Sequence, residues 1–444
     1  MKRVSVLVLS LALTGALGAQ QPGPAPEDPW AAWQRGLDAL KKGDAALAAS
    51  HLAVADATMP RVPDLLYALA RAEALAGRPE KALTALEQAV ALGFGVGAET
   101  EPAFETLRGL PRFRALLPGV ADNSRSVSRS RSAFTIAEPD LIPEGAAWDP
   151  KTRTLYIGSL HKRKIVAIGP GGKARDFVRP GQDGLWQPLG MKVDAPRRAL
   201  WVCSAEGDAP GGNTARRSAL FRFDLETGRL TRKYPAPAGG RHLFNDLVVT
   251  EAGEVYLTDS EEGSLYRLPA GGRALEVFVP GGTLGYPNGI ALSAGERFLY
   301  VAHAPGIVAW NRTTGERFPL PAPDNVTLAG IDGLYFHRGA LVAVQNGVEP
   351  NRVAAFPLSA QLDRVTGCRV LERGNPLFDI PTTGAVAGDG FYFMANTQLT
   401  ALGPGNVVKE PEKRDPTTKG TPPAVGRAGT SGLNPVVILW MELS

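Results

Sequence analysis

The stretch YPNGIALSAGERFLYVAH, residues 286–303, contains two short apolar runs separated by a polar turn. The runs cover residues 290–292 and 298–302, and Gly295 lies in the turn between them. This pattern predicts two antiparallel strands joined by a short connection. Asn288 lies just before the first run, so its side chain either belongs to a turn or points toward a ligand.

The same pattern recurs six times between about residue 140 and the end of the chain, at intervals of roughly 43 to 56 residues. The copies read PEGAAWDPKTRTLYIGS, PLGMKVDAPRRALWVCS, FNDLVVTEAGEVYLTDS, PNGIALSAGERFLYVAH, IDGLYFHRGALVAVQN and TTGAVAGDGFYFMANT. Third strands such as SALFRFDLETG lie between them. Repeats of this length with three or four short strands each predict a mainly β fold, a six-bladed β-propeller over residues 132–444.

The two ends of the propeller segment are expected to meet in the last blade. Its second strand ends near Asn396, and NPVVILWMEL (434–443) supplies the third strand. Residues 397–433 between them are polar and rich in Pro and Gly, which predicts a loop excursion. The segment SAFTIAEPDL (132–141) is predicted to form the outer strand of the sixth blade, which removes an exposed sheet edge.

The first part of the chain predicts helices. Residues 27–120 are rich in Ala and Leu, and WQRGLDALKKGDAALAASHL resembles YALARAEALAGRPEKALTAL after a shift of 34 residues. This period resembles the tetratricopeptide repeat, but two repeats fall short of the usual three, so the segment is expected to lean on its neighbour. A groove for a protein partner and a packing accessory are both open interpretations. Residues 121–131 are predicted to be a solvated linker.

The net charge, the N-terminal residues and the cysteines bear on the class of protein and on its location. The net charge is +4 over 444 residues, and no long basic stretch is interleaved with aromatics, so nucleic-acid binding is not indicated. Residues 1–19 combine two basic residues, an apolar run and small residues, which predicts a secretory signal and a periplasmic or extracellular protein without a membrane span. Cys203 and Cys368 are expected either to pair or, more readily, to be separate buried thiols.

The first strands of all blades in a propeller line one central channel and begin at the same mouth. Two carboxylates and two amides crowded at that mouth would need a cation to neutralise them. Such oxygen donors suit Ca²⁺ or another hard divalent ion, whereas zinc or copper would require His or Cys. Taken singly, Asn or Asp before Gly is ordinary turn chemistry. Aligning the six copies places these residues at the mouth: Glu144, Leu189, Asn245, Asn288, Asp332 and Thr383. The predicted metal ligands are Glu144, Asn245, Asn288 and Asp332.

The motifs PEGAAWDP, FND, YPNGIALS and GIDGLYF resemble stretches of the senescence marker protein/gluconolactonase family, the regucalcin-like six-bladed propellers. The resemblance covers roughly residues 132–443 and leaves out the helical segment. It implies metal ligation by Glu144, Asn288 and Asp332, with Asn245 contacting metal or substrate. It also implies metal-dependent hydrolysis of lactones or related esters, with Asp332 as general base.

One position departs from the family's sugar-lactonase pattern. Those members carry a substrate-gripping arginine two residues before the Asn of the third blade, where this chain has Leu243. Arg241 and His242 are near but in a different register. We therefore expect a more apolar small-molecule substrate than a sugar acid lactone.

A metal-bound water and a nearby base would complete a hydrolytic site. His161, His242 and His303 are expected to emerge at the same mouth, which makes His242 and His303 candidate proton acceptors beside Asp332. The sequence lacks the G-x-S-x-G and H-E-x-x-H motifs of serine hydrolases and zinc proteases. It predicts an exported calcium-dependent hydrolase. The alternative is a non-catalytic, calcium-stabilised propeller that recruits a partner through its helices.

Overall fold

A computed structural model describes residues 29–95, 97–209, 215–409 and 432–443. The predicted secretory signal and residues 410–431 of the excursion lie outside this part of the chain. Among the described residues, none of the helices has the length and apolar character needed to cross a membrane.

Helices form the N-terminal part of the molecule. Asp44 begins α2 by accepting a hydrogen bond from the backbone N–H of Leu47 at 3.0 Å. Gly43 and Gly77 follow α1 and α3 with φ of +79° and +73°, so the two positions related by the 34-residue shift make the same left-handed turn. The helices are α1 (Pro29–Lys41), α2 (Ala45–Thr58), α3 (Pro63–Leu75), α4 (Pro79–Ala91) and α5 (Pro111–Ser124), with a 3-10 helix at Pro102–Leu107.

The strands of the remaining chain are short and closely spaced. In order, they are β1 (Arg131–Ile136), β2 (Pro143–Asp149), β3 (Thr154–Ser159), β4 (Lys164–Ile168), β5 (Ala174–Val178), β6 (Gln187–Asp194), β7 (Ala199–Ala205), β8 (Ser218–Asp224), β9 (Leu230–Pro235), β10 (Phe244–Val249), β11 (Val255–Asp259), β12 (Ser264–Leu268), β13 (Glu276–Val279), β14 (Ile290–Leu292), β15 (Phe298–His303), β16 (Gly306–Asn311), β17 (Arg317–Pro319), β18 (Ile331–His337), β19 (Ala340–Gln345), β20 (Arg352–Pro357), β21 (Arg369–Arg373), β22 (Gly384–Ala387), β23 (Gly390–Met394), β24 (Leu402–Gly403), β25 (Val407–Val408) and β26 (Val436–Glu442).

Across the described residues, these strands form a six-bladed propeller of four-stranded antiparallel sheets. Blades one to five use consecutive strands, from β2–β5 to β18–β21. Blade six has the order β22, β23, β26, β1, and Phe134 of β1 lies opposite Ile438 of β26. The predicted closure by the two ends of the propeller segment is therefore confirmed.

The core lies between neighbouring blades, because each sheet packs on both faces. Strand β7 is buried along its whole length, and its side chains divide between two apolar clusters. At two glycine positions near the axis, the first strands approach so closely that a side chain would not fit. A Cβ on Gly145 would lie 1.7 Å from the carbonyl oxygen of Leu189, and one on Gly289 would lie 2.4 Å from that of Asp332.

The helices pack on the loops of blades four and five. Thr327 Oγ1 donates to the carbonyl of Arg61 at 2.8 Å, and Gly95 N–H donates to the carbonyl of Glu349 at 3.1 Å. Ala329 of the propeller is fully buried in the same cluster as the helical core. This placement agrees with the expectation that the helical segment leans on its neighbour.

The segment that joins the helices to the propeller is attached to blade five. Helix α5 continues to Ser124, and Val127 forms an antiparallel bridge with Arg373. The backbone N–H groups of Arg129 and Ser130 both donate to Glu372 Oε2. The serine-rich composition predicts a solvated linker, but its backbone donors find partners on the sheet.

The two cysteines do not pair. Cys203 is buried in blade two, as expected of a structural thiol, and Cys368 is exposed in blade five. The expectation of two buried thiols is wrong for Cys368, because it lies on a surface connection between β20 and β21.

The contact between α3 and blade five makes stability depend on pH. Burial, and secondarily the charge of Glu349, raise the pKa of Asp64 to about 7. Among the described residues, Asp64 Oδ1 is buried without a hydrogen-bond partner. The folded protein therefore binds more protons than the unfolded chain between about pH 4 and pH 7. The contribution of Asp64 to stability is therefore fully present below about pH 4 and is lost as the pH rises through about 7.

We expect Asp64→Asn to make the fall in stability with rising pH smaller and to stabilise the protein at about pH 8 by on the order of 1–2 kcal/mol. The measurement is the midpoint of thermal unfolding between about pH 4 and pH 8. The exposed Asp38 of α1 supplies the control variant, Asp38→Asn, which should keep the wild-type slope. An unchanged slope in Asp64→Asn would contradict the assignment.

Candidate functional site

The starts of the first strands contact one another in order around the axis. Ile290 N–H of blade four approaches Asp246 Oδ2 of blade three at 3.4 Å, and Gly333 N–H of blade five donates to the carbonyl of Thr382 in blade six at 3.0 Å. Thr383 Oγ1 of blade six donates to the backbone carbonyl of Glu144 in blade one. The positions aligned from the sequence therefore lie at one mouth of the channel.

The Asp332 side chain is held by hydrogen bonds from two amides. Its Oδ1 accepts a hydrogen bond from Asn288 Nδ2 at 3.0 Å, and its Oδ2 accepts one from Asn346 Nδ2 at 2.6 Å. Burial raises the pKa of Asp332 to about 7, with a contribution from Asp246, while the two amide donors act in the opposite direction. The carboxylate is thus oriented from both sides by amides on two blades.

Glu144 is the second carboxylate. Its side chain is only 5% exposed, and among the described residues its Oε2 is buried without a hydrogen-bond partner. Burial raises the pKa of Glu144 well above the usual range, and the charge of Asp332 raises it further. An orphaned buried oxygen beside another carboxylate is costly unless a cation or a proton compensates it.

This donor set fits a hard divalent ion. Glu144 and Asp332 supply carboxylate oxygens, and Asn288, which donates to Asp332 through Nδ2, supplies an amide oxygen. Within the described ranges, no group of three or more His, Cys, Asp or Glu side chains is placed to hold a metal. Carboxylate and amide oxygens are ligands of hard divalent ions such as Ca²⁺, whereas zinc and copper prefer His and Cys.

Asn245 is linked by hydrogen bonds through Ser260 to the segment that carries Asn288. Its Nδ2 donates to Ser260 Oγ at 2.9 Å, and that hydroxyl donates to the carbonyl of Pro287 at 2.6 Å. The side chain is 7% exposed. The structure thus brings Glu144, Asn288 and Asp332 together and fixes Asn245 beside them.

A left-handed residue lies two positions before three of these side chains. Ile142 precedes Glu144 with φ of +44°, Tyr286 precedes Asn288 with φ of +51°, and Gly330 precedes Asp332 with φ of +64°. This region is strained for a β-branched or aromatic residue, and such strain concentrates at functional sites. Ile and Tyr give no sequence signal for it.

Residues 142–314 match the family model for the SMP-30/Gluconolactonase/LRE-like region. The match covers less than half of the chain and corresponds to blades one to three and most of blade four, which are gluconolactonase-like in sequence. The matched range includes Glu144, Asn245 and Asn288 but ends before Asp332, which joins them through its contact with Asn288. No curated protein matches the chain.

Solved structures resemble this chain at low identity. A gluconolactonase from Xanthomonas campestris is 21% identical, with 62% of this chain and 95% of that chain covered and a TM-score of 0.44. A luciferin-regenerating enzyme is 15% identical, with 72% and 96% covered and a TM-score of 0.44. A PQQ-bound aldose sugar dehydrogenase from Streptomyces coelicolor is 13% identical, with 72% and 98% covered and a TM-score of 0.45.

The three histidines expected at the mouth differ in whether their ring nitrogens already have hydrogen-bond partners. His242 is 4% exposed, and its Nδ1 lies 2.7 Å from Asp259 Oδ2 while its Nε2 lies 3.0 Å from the carbonyl of Gly239. Both ring nitrogens are therefore engaged, which suits a role in fixing the loop before blade three. His161 is held locally, with Nδ1 2.8 Å from the carbonyl of Asp140.

His303 is placed differently. It ends β15, next to Ala302, whose carbonyl accepts a hydrogen bond from Asn288 N–H at 2.9 Å. Burial, with a smaller contribution from Arg317, lowers the pKa of His303 to about 4, so the ring is neutral at pH 7. Among the described residues, its Nδ1 is buried without a partner. Of the two histidine candidates, His303 has the nitrogen that can accept a proton.

Comparison of the six repeats does not reveal a second polar layer deeper in the channel. Lys192 Nζ lies 3.3 Å from Asp246 Oδ1 and 5.0 Å from the centre of the Tyr335 ring. The Tyr335 hydroxyl accepts a hydrogen bond from Gly384 N–H at 2.7 Å. Lys192 interrupts an otherwise apolar first strand, which is the signal that could have identified this layer.

The two histidines can be separated by experiment. His242→Ala leaves Asp259 with a buried, unpaired oxygen, so we expect the free energy of unfolding to fall by about 3 kcal/mol. His303→Ala removes a ring whose Nδ1 is unpaired and should cost less stability. Both effects are measured by urea unfolding. A His242→Ala variant with wild-type stability would contradict the structural role assigned to this residue.

Proposed function

We propose that this protein is an exported, calcium-dependent hydrolase that opens a lactone or a related ester. The gluconolactonase-like region supports a hydrolase family of the lactonase type. The observation that carries the proposal is the buried pair of carboxylates at the mouth, with Asp332 held by two amides and Glu144 Oε2 left without a partner among the described residues. Export rests on the composition of residues 1–19 alone.

The mouth provides ligands for a calcium ion. Glu144, Asn288 and Asp332 would hold it, with Asn245 adjacent and water or substrate in the remaining positions. When bound, the ion acts as a Lewis acid on the substrate carbonyl and acidifies a water molecule.

The protein's own groups handle the proton. Asp332, fixed by Asn288 and Asn346, is oriented to accept a proton from the attacking water. The water oxygen forms a bond to the carbonyl carbon, the ring C–O bond breaks, and the alkoxide that leaves takes up a proton to give a hydroxy acid. His303 Nδ1, which has no partner within the described structure, is a second acceptor that can pass the proton on, since burial disfavours the protonated ring.

The competing hypothesis is a propeller that binds calcium but catalyses nothing and uses its helices to recruit a protein partner. Measurement of hydrolysis separates the two hypotheses. We expect the purified protein to hydrolyse members of a lactone panel and Asp332→Asn to lose activity by about a hundredfold or more. The exposed carboxylate of Asp389, which pairs with Arg338, supplies the control Asp389→Asn with wild-type rates. Wild-type protein that is folded, calcium-loaded and inert across the panel would favour the competing hypothesis.

Calcium should also stabilise the fold independently of activity. At a calcium concentration about a hundredfold above the dissociation constant, we expect about 2.7 kcal/mol of stabilisation, seen as a higher midpoint of thermal unfolding. A chelator should reverse the effect, and Glu144→Gln should largely remove it because a carboxylate ligand is lost. Equal midpoints with calcium and with chelator in the wild type would exclude the site.

A further inference from the structure

Helix α1 reaches the mouth of the propeller. The ring of Trp30, at the start of α1, stacks on the ring of Tyr286 with centroids 6.4 Å apart and an interplanar angle of 10°. Tyr286 lies two residues before Asn288, whose side chain contacts Asp332. An aromatic pair built from the helical segment and blade four therefore stands at the edge of the candidate site.

Both rings are held in place although both face solvent. Trp30 is 41% exposed and Tyr286 is 47% exposed. Trp30 also packs edge-on against Trp33, with centroids 5.2 Å apart, and the left-handed backbone of Tyr286 fixes the direction of its side chain. Exposed aromatic rings that are already ordered lose little conformational freedom when they bind a ligand.

The described part of the excursion supplies apolar side chains near the same mouth. Leu399, Leu402 and Val408 are partly buried and pack on the cluster that contains Leu189, the mouth position of blade two, and Leu243. This cluster therefore includes the position where sugar-lactonase relatives are expected to carry arginine.

Two polar contacts anchor the excursion over blades one and two. Gln187 Nε2 donates to Asn406 Oδ1 at 3.0 Å, and Asn406 Nδ2 donates to the carbonyl of His161 at 2.6 Å. The apolar side chains on this segment are thus fixed in position over blades one and two.

Arg216, whose charge acts on the Tyr286 hydroxyl, is already paired. Arg216 is 9% exposed, and its Nη1 donates to Glu261 Oε1 at 3.0 Å. The aromatic and aliphatic side chains themselves offer no hydrogen-bond partners to the hydroxyl groups of a polyhydroxylated ring. An alkyl or aryl group in the same place would gain from burial.

We propose that Trp30 and Tyr286, with the apolar side chains of residues 399–408, form the substrate-binding walls of the mouth and select a lactone or ester with an apolar alkyl or aryl body. The inference rests on the proposed function for the reacting group. It assigns the helical segment a part in substrate selection, with Trp30 and Tyr286 as specificity-determining residues that do not touch the reacting atoms.

The test compares Trp30→Ala with Trp30→Phe on γ-dodecalactone, γ-butyrolactone and glucono-δ-lactone. For γ-dodecalactone, Trp30→Ala should raise KM roughly three- to tenfold with kcat little changed, because one aromatic contact is lost. Trp30→Phe should retain most of the affinity, and γ-butyrolactone, which lacks the alkyl chain, should respond to neither variant. Leu75→Ala, which truncates another exposed apolar side chain, on α3, is the control. Midpoints of thermal unfolding confirm that each variant is folded.

A binding measurement keeps this inference separate from the proposed chemistry. An alkyl-substituted lactam, which contains no ester bond, is titrated calorimetrically into wild type, Trp30→Ala and Tyr286→Ala. Weaker binding in both variants supports the pocket, even if no lactone is hydrolysed and the proposed function fails. Equal lactam affinity in folded Trp30→Ala and wild type, or a wild-type preference for glucono-δ-lactone over γ-dodecalactone, overturns the inference.

Discussion

The main constraint on this structure is a pair of carboxylates that are buried close to each other. Glu144 and Asp332 come from the first and fifth blades, and closure of the ring brings both to the axis in a buried place. Desolvation and mutual repulsion disfavour their charged forms. Left-handed backbone at Ile142 and Tyr286 adds conformational strain close to these carboxylates. Such an arrangement is typical of a site that compensates the cost by binding a cation.

Ring closure depends on a strand that precedes the first blade. β1 completes the sheet of the last blade beside β26, so the two ends of the propeller segment are joined by backbone hydrogen bonds. Without an open edge the six first strands keep their relative positions, and Gly145 and Gly289 allow the close approach at the axis. The geometry of the mouth is therefore a property of the whole ring, which no single blade could provide.

The two segments that depart from the repeat both pack on this mouth. The helices contact the loops of blades four and five through Thr327 and Glu349, and the excursion contacts blades one and two through Asn406. The sequence does not decide whether the helical segment forms a groove for a protein partner or only packs against the propeller. The contacts show how it packs, and they place Trp30 beside Tyr286. Recruitment of a protein partner stays a prediction.

The sequence by itself determined the blades, their number and their closure, because alternating apolar runs and turn residues repeat along the chain and record local structure. It also determined which positions meet at the mouth, since strand direction in a propeller follows from the repeat. Only the tertiary structure decided which groups are available there. His242 and His303 look equivalent in the sequence, yet the first has both nitrogens engaged and the second is buried with Nδ1 unpartnered among the described residues. The Asn346 contact to Asp332, the Lys192–Asp246 pair and the Trp30–Tyr286 stack join distant segments. Their formation depends on packing between blades and helices, which leaves no periodic trace in the sequence.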